Sequence, residues 1–110
     1  MEGFVPVPNH TGFLAKEVFG RAERILNVSI ARLDPRGGGP SPAHSHPERD
    51  HLFIVTQGRM EIRTPEGVRY FGPEEAMLVR GGAVHEIWNA GDSPAVVVGV
   101  TLAAEAGQSE

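Results

Sequence analysis

The stretch PAHSHPERDHLFIVTQG, residues 42–58, contains three of the five histidines in this chain of 110 residues. His44 and His46 are two residues apart, so in an extended chain both imidazole rings point to the same side. His51 precedes an apolar run and is predicted to begin a strand. On spacing alone, the cluster fits a metal site and a solvated, hydrogen-bonded loop equally well.

The residues around this stretch are divided into short runs by 14 glycines and nine prolines. The runs are rich in Val, Ile, Leu and Phe, and some alternate with period two, as in LNVSIAR, where Leu26, Val28 and Ile30 share one face. We predict strands at residues 23–33, 51–57, 59–64, 68–72, 76–80, 84–90 and 95–103. Short strands separated by frequent turn signals are typical of an antiparallel sandwich or small barrel. One helix is predicted, at residues 12–24, although Gly20 interrupts its apolar pattern.

Composition narrows the class of protein. The absence of cysteine excludes disulfides, zinc–thiolate sites, iron–sulfur clusters and cysteine nucleophiles. A net charge of −4 and a pI near 5.7 argue against a nucleic-acid partner. No apolar run reaches the roughly 20 residues of a membrane-spanning helix, and the N-terminus lacks the layout of a signal peptide. We therefore expect one small acidic domain in the cytoplasm, with neither a nucleic-acid nor a membrane partner.

A fourth histidine, His85, lies at the head of the predicted strand 84–90. Antiparallel strands can bring it to the same interior face as the histidines of the opening stretch. Four imidazoles form an all-nitrogen ligand set that suits Mn, Fe, Ni, Cu or Zn. The sequence therefore predicts one divalent transition metal per chain, with His44, His46, His51 and His85 as the ligands.

The spacing of glycines and histidines resembles the two motifs of the cupin family. Gly38, His44, His46, His51 and Gly58 follow the spacing of the first motif, G(X)5HXH(X)3–4E(X)6G. The second motif ends in PXG(X)2H(X)3N and is matched at Gly82, His85 and Asn89, while Arg80 and Glu74 depart from it at positions that concern turn geometry.

This resemblance covers residues 25–103 and implies an all-β fold, the double-stranded antiparallel β-helix or jelly-roll barrel. On that basis we expect a cupin barrel at residues 23–103 and a flexible tail at 104–110. Residues 1–22 would be an N-terminal arm that contributes a strand to a dimer, since small cupins pair as homodimers through an outer sheet.

His51 stands where most cupins carry a glutamate ligand, and cupins with four histidines are known. A site with four neutral imidazoles keeps the full +2 charge of the metal, so it is a stronger Lewis acid and favours anionic ligands. A three-histidine site with His51 as a spectator is the alternative. Glu48 and Asp50 are expected to be loop charges that face water, and His10, outside both motifs, is expected at the surface.

The resemblance and the charge of the site together favour an enzyme. We expect a dioxygenase or related oxidoreductase that acts on a small enolisable or phenolic molecule, which is anionic when deprotonated. A non-redox isomerase, cyclase or lyase is the alternative, and so is a non-catalytic domain that binds a small molecule. Arg32 continues the face of Leu26, Val28 and Ile30 and is predicted to hold an anionic substrate at the barrel mouth, the alternative being an exposed strand-end arginine. Phe53 and Met60 are the candidates for the apolar lining that contacts substrate.

Overall fold

The computed structural model describes residues 2–44 and 47–104, and for residues 41–44 it describes the backbone alone. Within those ranges the secondary structure consists of nine antiparallel strands: β1 (Val5–Pro6), β2 (Thr11–Phe19), β3 (Ile25–His44), β4 (Arg49–Gln57), β5 (Met60–Thr64), β6 (Gly67–Phe71), β7 (Ala76–Val79), β8 (His85–Asn89) and β9 (Ala95–Ala103). The predicted all-β jelly-roll barrel is therefore confirmed. No helix of the described residues is long and apolar enough to cross a membrane.

The helix predicted at residues 12–24 is wrong, because residues 11–19 form β2 instead. β2 pairs antiparallel with β3, with Phe13 opposite Leu33 and Ala15 opposite Ala31. Phe13 and Ala15 both line a cavity in the barrel, so the apolar residues of this segment alternate with period two along a strand. Pairing and burial of these two side chains outweigh the weak helical pattern.

β3 belongs to both sheets of the barrel. Residues 25–33 lie between β2 and β9, whereas residues 38–44 lie beside β8. The nine strands form one hydrogen-bonded sheet, which β3 divides into two parts: a larger sheet, β1–β2–β3–β9–β4–β7, and a smaller sheet, β3–β8–β5–β6. The crossing needs glycine at position 38, where a Cβ atom would lie 2.2 Å from the carbonyl oxygen of Ile87 and 2.6 Å from Cδ2 of Trp88.

The hydrophobic core fills one end of the barrel between the two sheets. Among the side chains that the structure describes, it contains ten buried apolar ones: Ala31, Leu33, Val55, Met60, Ile62, Phe71, Val79, Ile87, Ala95 and Val97. Further along the same strands, His51 and Phe53 of β4 and Gly99 and Thr101 of β9 line a cavity instead. The packed end thus adjoins an open end, and Ala31, Ile87 and Val97 belong both to the core and to the cavity wall.

Asn89, at the end of β8, forms side-chain hydrogen bonds that join segments at the packed end of the barrel. Its side chain is 4% exposed, and Nδ2 lies 3.1 Å from the oxygen of Leu33, 3.2 Å from that of Asp34 and 2.8 Å from that of Ser93. The backbone N–H of Gly91 donates to Oδ1 at 2.8 Å. One amide therefore joins the end of the first half of β3 to the β8–β9 turn.

The domain boundaries stay a prediction. Residues 5–19 form the β1–β2 hairpin, which pairs with β3 of the same chain. Of the tail predicted at residues 104–110, residues 105–110 lie outside the described part of the chain.

Candidate metal centre and its cavity

The open end of the barrel contains two adjoining cavities, each of about 260 Å³. Both are lined by Phe13, His51, Phe53 and Ile87, so the two cavities share a wall. Most of the remaining lining is apolar or small, with His10 and His85 on one side and Asn27, Ser29 and Thr101 on the other. The cavity is therefore an apolar space with imidazoles on its wall.

His51 and His85 approach each other across this space from different sheets. His51 lies on β4 and His85 lies at the start of β8, and both side chains are half-buried. The centroids of the two rings are 6.0 Å apart and their planes meet at 76°. The Phe53 ring lies beside both, 5.6 Å from His51 and 6.2 Å from His85. The fold thus brings together two histidines that are far apart in the sequence.

The other two predicted ligands are only partly within the described residues. His44 ends β3, and its backbone pairs with that of His85 in the β3–β8 ladder. The His44 side chain and the whole of His46 lie outside the described part of the structure. Among the side chains that are described, no group of three His, Cys, Asp or Glu residues is arranged to hold a metal ion. The four-ligand set therefore stays a prediction.

The His85 ring is oriented by the backbone of its own turn. Nδ1 of His85 lies 3.0 Å from the carbonyl oxygen of Ala83. A carbonyl oxygen only accepts, so this hydrogen bond needs the proton on Nδ1 and leaves the lone pair of a neutral ring on Nε2. Metal-bound histidines commonly donate their second ring nitrogen to a backbone carbonyl or a carboxylate in this way.

Asp50, expected to face water, is buried at 1% exposure, so that prediction is wrong. Oδ1 accepts a hydrogen bond from the N–H of Gly81 at 2.7 Å. Oδ2 lies 3.7 Å from Nη1 of Arg80 and 3.9 Å from Nη2 of Arg24. Asp50 lies on the opposite face of β4 from His51 and therefore points away from the cavity. On that face the β7–β8 turn covers its side chain. The carboxylate consequently ties β4, which carries His51, to the turn that leads into β8.

The three predicted substrate contacts occupy three different environments. Phe53 lines both cavities, and its contact with substrate stays a prediction. Met60 is fully buried in the core at 0% exposure. Arg32 lies on the opposite face of β3 from Asn27, Ser29 and Ala31, which line the cavity. The face that Arg32 shares with Val28 and Ile30 is thus the outer face, contrary to the expectation that it enters the barrel mouth.

Comparison with known protein families agrees with this architecture. The family described as Cupin_2, the cupin domain, matches residues 30–101. This chain belongs to the cupin family.

Relatives of this cupin differ in their functions. Germin-like protein 8-14 of Oryza sativa subsp. japonica is 35% identical over 79 residues, which cover 66% of this chain and 37% of that protein. The cupin thus spans little more than a third of the length of this curated relative. Among solved structures, the polyketide cyclase RemF from Streptomyces resistomycificus has a TM-score of 0.74 at 21% identity, covering 89% of this chain and 70% of RemF.

A third similar protein is not described as an enzyme. The Cupin_2 domain of an XRE family transcriptional regulator from Enterobacter cloacae has a TM-score of 0.73 at 14% identity, covering 86% of this chain and 99% of that domain. At these identities the two solved structures show the fold alone. Cupins include enzymes and non-enzymes and commonly bind a divalent metal, so family membership leaves the reaction open.

The described part of the site fits a metal ion. The two described ligand candidates are imidazoles, which suit Zn, Cu, Fe and Ni. His85 is oriented for coordination through Nε2, and the rings of His51 and His85 face one cavity. The carboxylate of Asp50 lies behind this pair and is engaged with Gly81. His51 and His85 would therefore hold the ion through neutral nitrogens.

Sequence reasoning missed His10, which was expected at the protein surface. The structure places it on the wall of the same cavity as His51 and His85. It lies on the turn between β1 and β2, far from both motifs in the sequence. The pairing of β2 with β3 brings it to the barrel mouth, and this pairing was hidden by the helical interpretation of residues 12–24.

Proposed function

We propose that this cupin is a metal-dependent enzyme that acts on a small enolisable or phenolic molecule. A divalent transition metal would be held by His44, His46, His51 and His85. The observation that carries the proposal is the approach of His51 and His85 to one another across an apolar cavity, with Nδ1 of His85 engaged by the Ala83 carbonyl.

The bound metal would supply a Lewis acid that favours a negatively charged substrate oxygen. The chain itself supplies the surroundings of that charge. Phe53 and Ile87 give the cavity an apolar wall, and a substrate bound against them would displace water, which strengthens electrostatic interactions inside. Neutral imidazole ligands leave the positive charge uncompensated, so an enolate or phenolate would be preferred over the neutral molecule.

A dioxygenase or related oxidoreductase is the first form of this proposal, since an anionic substrate and dioxygen could bind side by side. A non-redox isomerase, cyclase or lyase is the second form. That form needs a group able to move a proton, and His10 adds one to the cavity wall. A small-molecule-binding domain without turnover is the remaining alternative, and we propose the cytoplasm as the location.

The first experiment measures metal binding by protein purified without a histidine tag. We expect about one equivalent of a transition metal by mass spectrometry. Readdition of Mn, Fe, Ni, Cu or Zn to stripped protein should raise its Tm, because a ligand that binds only the folded state stabilises it. His85→Ala and His51→Ala should lose most of this rise, whereas His10→Gln, on the same cavity wall, should keep it. A wild-type protein whose Tm responds to none of the metals would refute the metal site.

The second experiment separates the two forms of the proposal. Metal-loaded protein is supplied with 1,3-diketones and catechols, with and without oxygen. Oxygen consumption that disappears in His85→Ala supports a dioxygenase. Turnover that continues without oxygen supports the non-redox form. Binding of these compounds without turnover under either condition supports the non-catalytic alternative.

We also propose a homodimer formed through the outer face of the larger sheet. Cross-strand registers place apolar residues in rows on that face: Val28, Val100, Leu52 and Leu78 in one row, and Ile30, Val98 and Ile54 in the next. Each of these side chains is partly or largely exposed in the single chain. Contiguous exposed apolar surface of this kind marks an association site.

The dimer is tested by sedimentation velocity. Val98→Arg places a charge in the middle of the apolar rows and should convert dimer to monomer. Val68→Arg, on the exposed strand β6 of the other sheet, is the matched control and should remain dimeric. A wild-type chain that sediments as a monomer at high micromolar concentration would refute the dimer.

A further inference from the structure

We propose that His10 is a catalytic residue, the general base whose Nε2 removes the proton from the enolisable or phenolic substrate. This inference rests on the proposed function and adds a residue outside the predicted metal ligands. It is drawn from the position of His10 and from the contacts that orient its ring.

A tight turn presents His10 to the cavity. The N–H of His10 donates to the carbonyl of Val7 at 3.3 Å, and the N–H of Val7 donates to the carbonyl of Phe13 at 3.3 Å. Asn9 has a φ of 64°, a left-handed conformation that asparagine tolerates better than most residues. The hairpin thus places the His10 ring on the cavity wall that also contains His51 and His85.

The His10 ring is held from three sides. Nδ1 lies 2.7 Å from the carbonyl oxygen of Pro8. The ring packs edge-to-face on Phe13, with centroids 4.5 Å apart and planes at 65°. On the third side lies Gly39, where a Cβ atom would come within 2.9 Å of Cδ2 of His10. A side chain at position 39 would therefore displace the ring from its place.

The contact with Pro8 fixes the tautomer. Because the carbonyl oxygen accepts, Nδ1 must donate, and a neutral ring then keeps its lone pair on Nε2. This arrangement, in which a hydrogen bond at one ring nitrogen prepares the other to take a proton, is the one that a histidine general base requires. The Nδ1–H bond to Pro8 is retained after proton uptake, so the same contact stabilises the resulting imidazolium.

Removal of the substrate proton by His10 changes no oxidation state and needs no redox partner. A C–H bond alpha to a carbonyl, or a phenolic O–H bond, breaks in the substrate. The proton forms an N–H bond at Nε2 of His10, and the electron pair stays on the substrate as an enolate or phenolate. Both forms of the proposed function begin with this anion, and His10 later returns the proton to product or to water.

The orientation of the ring can be tested without metal or substrate. Long-range nitrogen–proton NMR correlations of the imidazole side chains report which ring nitrogen carries the proton. We expect His10 to be protonated at Nδ1 and unprotonated at Nε2. A ring protonated at Nε2 only would overturn the proposal, because it would have no lone pair to offer to the cavity.

The catalytic role is tested with pentane-2,4-dione as the probe, by the rate of C3–H exchange in deuterated water with metal-loaded protein. His10→Gln and His10→Phe should slow the protein-dependent exchange about 10²-fold or more. His10→Phe keeps a ring against Phe13 and Gly39, so it separates loss of packing from loss of the base. Added imidazole should restore part of the exchange in His10→Ala.

Two results would overturn the role of His10: exchange within twofold of wild type in both variants, or wild-type protein that binds metal yet exchanges the dione no faster than the free metal does. The metal-induced rise in Tm is measured in parallel. If His10 variants keep that rise and lose exchange, both proposals stand. If wild type shows no rise, the metal site itself fails, which is a separate outcome.

Discussion

Replacement of Asn89 by aspartate is the most informative change in the packed end of the barrel. The two side chains have nearly the same shape, so packing is conserved. In the wild type, Nδ2 lies within hydrogen-bonding distance of the carbonyls of Leu33, Asp34 and Ser93, and Oδ1 accepts from the N–H of Gly91. Asn89→Asp keeps the acceptor toward Gly91 and replaces the donor by an oxygen that faces three other oxygens.

The magnitude follows from the hydrogen bonds. The amide has two protons, so the change removes at most two donated bonds, each worth about 1 kcal/mol net. Of the three carbonyls, the buried one is that of Leu33. Loss of its donor adds a desolvation cost of about 1–3 kcal/mol. We expect Asn89→Asp to lower the free energy of unfolding by about 4 kcal/mol, and the Tm by about 16 °C at roughly 4 °C per kcal/mol.

The change also has a pH signature. Surrounding oxygens raise the pKa of the introduced carboxyl in the folded state, so the folded protein binds a proton that the unfolded chain has released. Stability of such a variant falls as pH rises and recovers as pH falls. The difference from wild type should therefore narrow between pH 7 and pH 5.

Urea unfolding followed by far-UV circular dichroism at both pH values measures this free energy, with Tm as a second readout. Gln57→Glu makes the same chemical change at an exposed side chain that bonds to the Pro94 carbonyl, and should cost less than about 1 kcal/mol. If Asn89→Asp unfolds within 1 kcal/mol of wild type, or if the gap does not change with pH, the account of Asn89 as an obligate donor is refuted.

Two further changes test the crossing of β3 and the support behind the histidines. Gly38→Ala should destabilise the protein by about 3 kcal/mol, because the new methyl group collides with the Ile87 carbonyl. The control Gly20→Ala has open space around it and should be neutral or slightly stabilising. Urea unfolding that gives the two variants equal stability would contradict this. Asp50→Ala removes the acceptor of the Gly81 N–H and should lower the free energy of unfolding by about 2–3 kcal/mol, to which the half-exposed Arg24 and Arg80 add little. Asp50→Asn keeps an acceptor and should lower it less. Equal melting temperatures for the two variants would show that this hydrogen bond does not determine the stability.

The strands were largely predictable from the sequence, because alternation and turn residues act locally. All seven predicted strands occur, and apart from β3 their ends agree within two residues. β3 was predicted to end at residue 33 but continues to His44, because Gly38, Gly39 and His44, in a segment whose glycines and prolines resemble a loop, are paired with β8. The strand β2 was mistaken for a helix, since its partner β3 and the cavity that it faces are remote in sequence.

The candidate site was predictable only where a motif carries it. The approach of His51 to His85 agrees with the expectation from the spacing, and Phe53 lies where a cavity lining was expected. Arg32 was placed on the wrong face, because alternation shows that residues share a side without showing which side is interior. The burial of Asp50 was missed because the β7–β8 turn that covers it is remote in sequence. The position of His10 in the cavity wall was missed because it depends on how the β1–β2 hairpin packs. Neither contact leaves a local sequence pattern.

The double membership of β3 has a consequence for how the chain acquires its structure. β3 forms ladders with β8 and β9, and these two strands are synthesised only from residue 85 onward. During synthesis, the apolar first half of β3 can pair only with β2, so its other edge waits unpaired and open to association with other chains. The glycine- and proline-rich second half has low strand propensity by itself, which keeps that segment from pairing prematurely. Barrel closure is therefore a late event that depends on the C-terminal strands, and truncations that remove β9 should aggregate rather than leave a smaller folded domain.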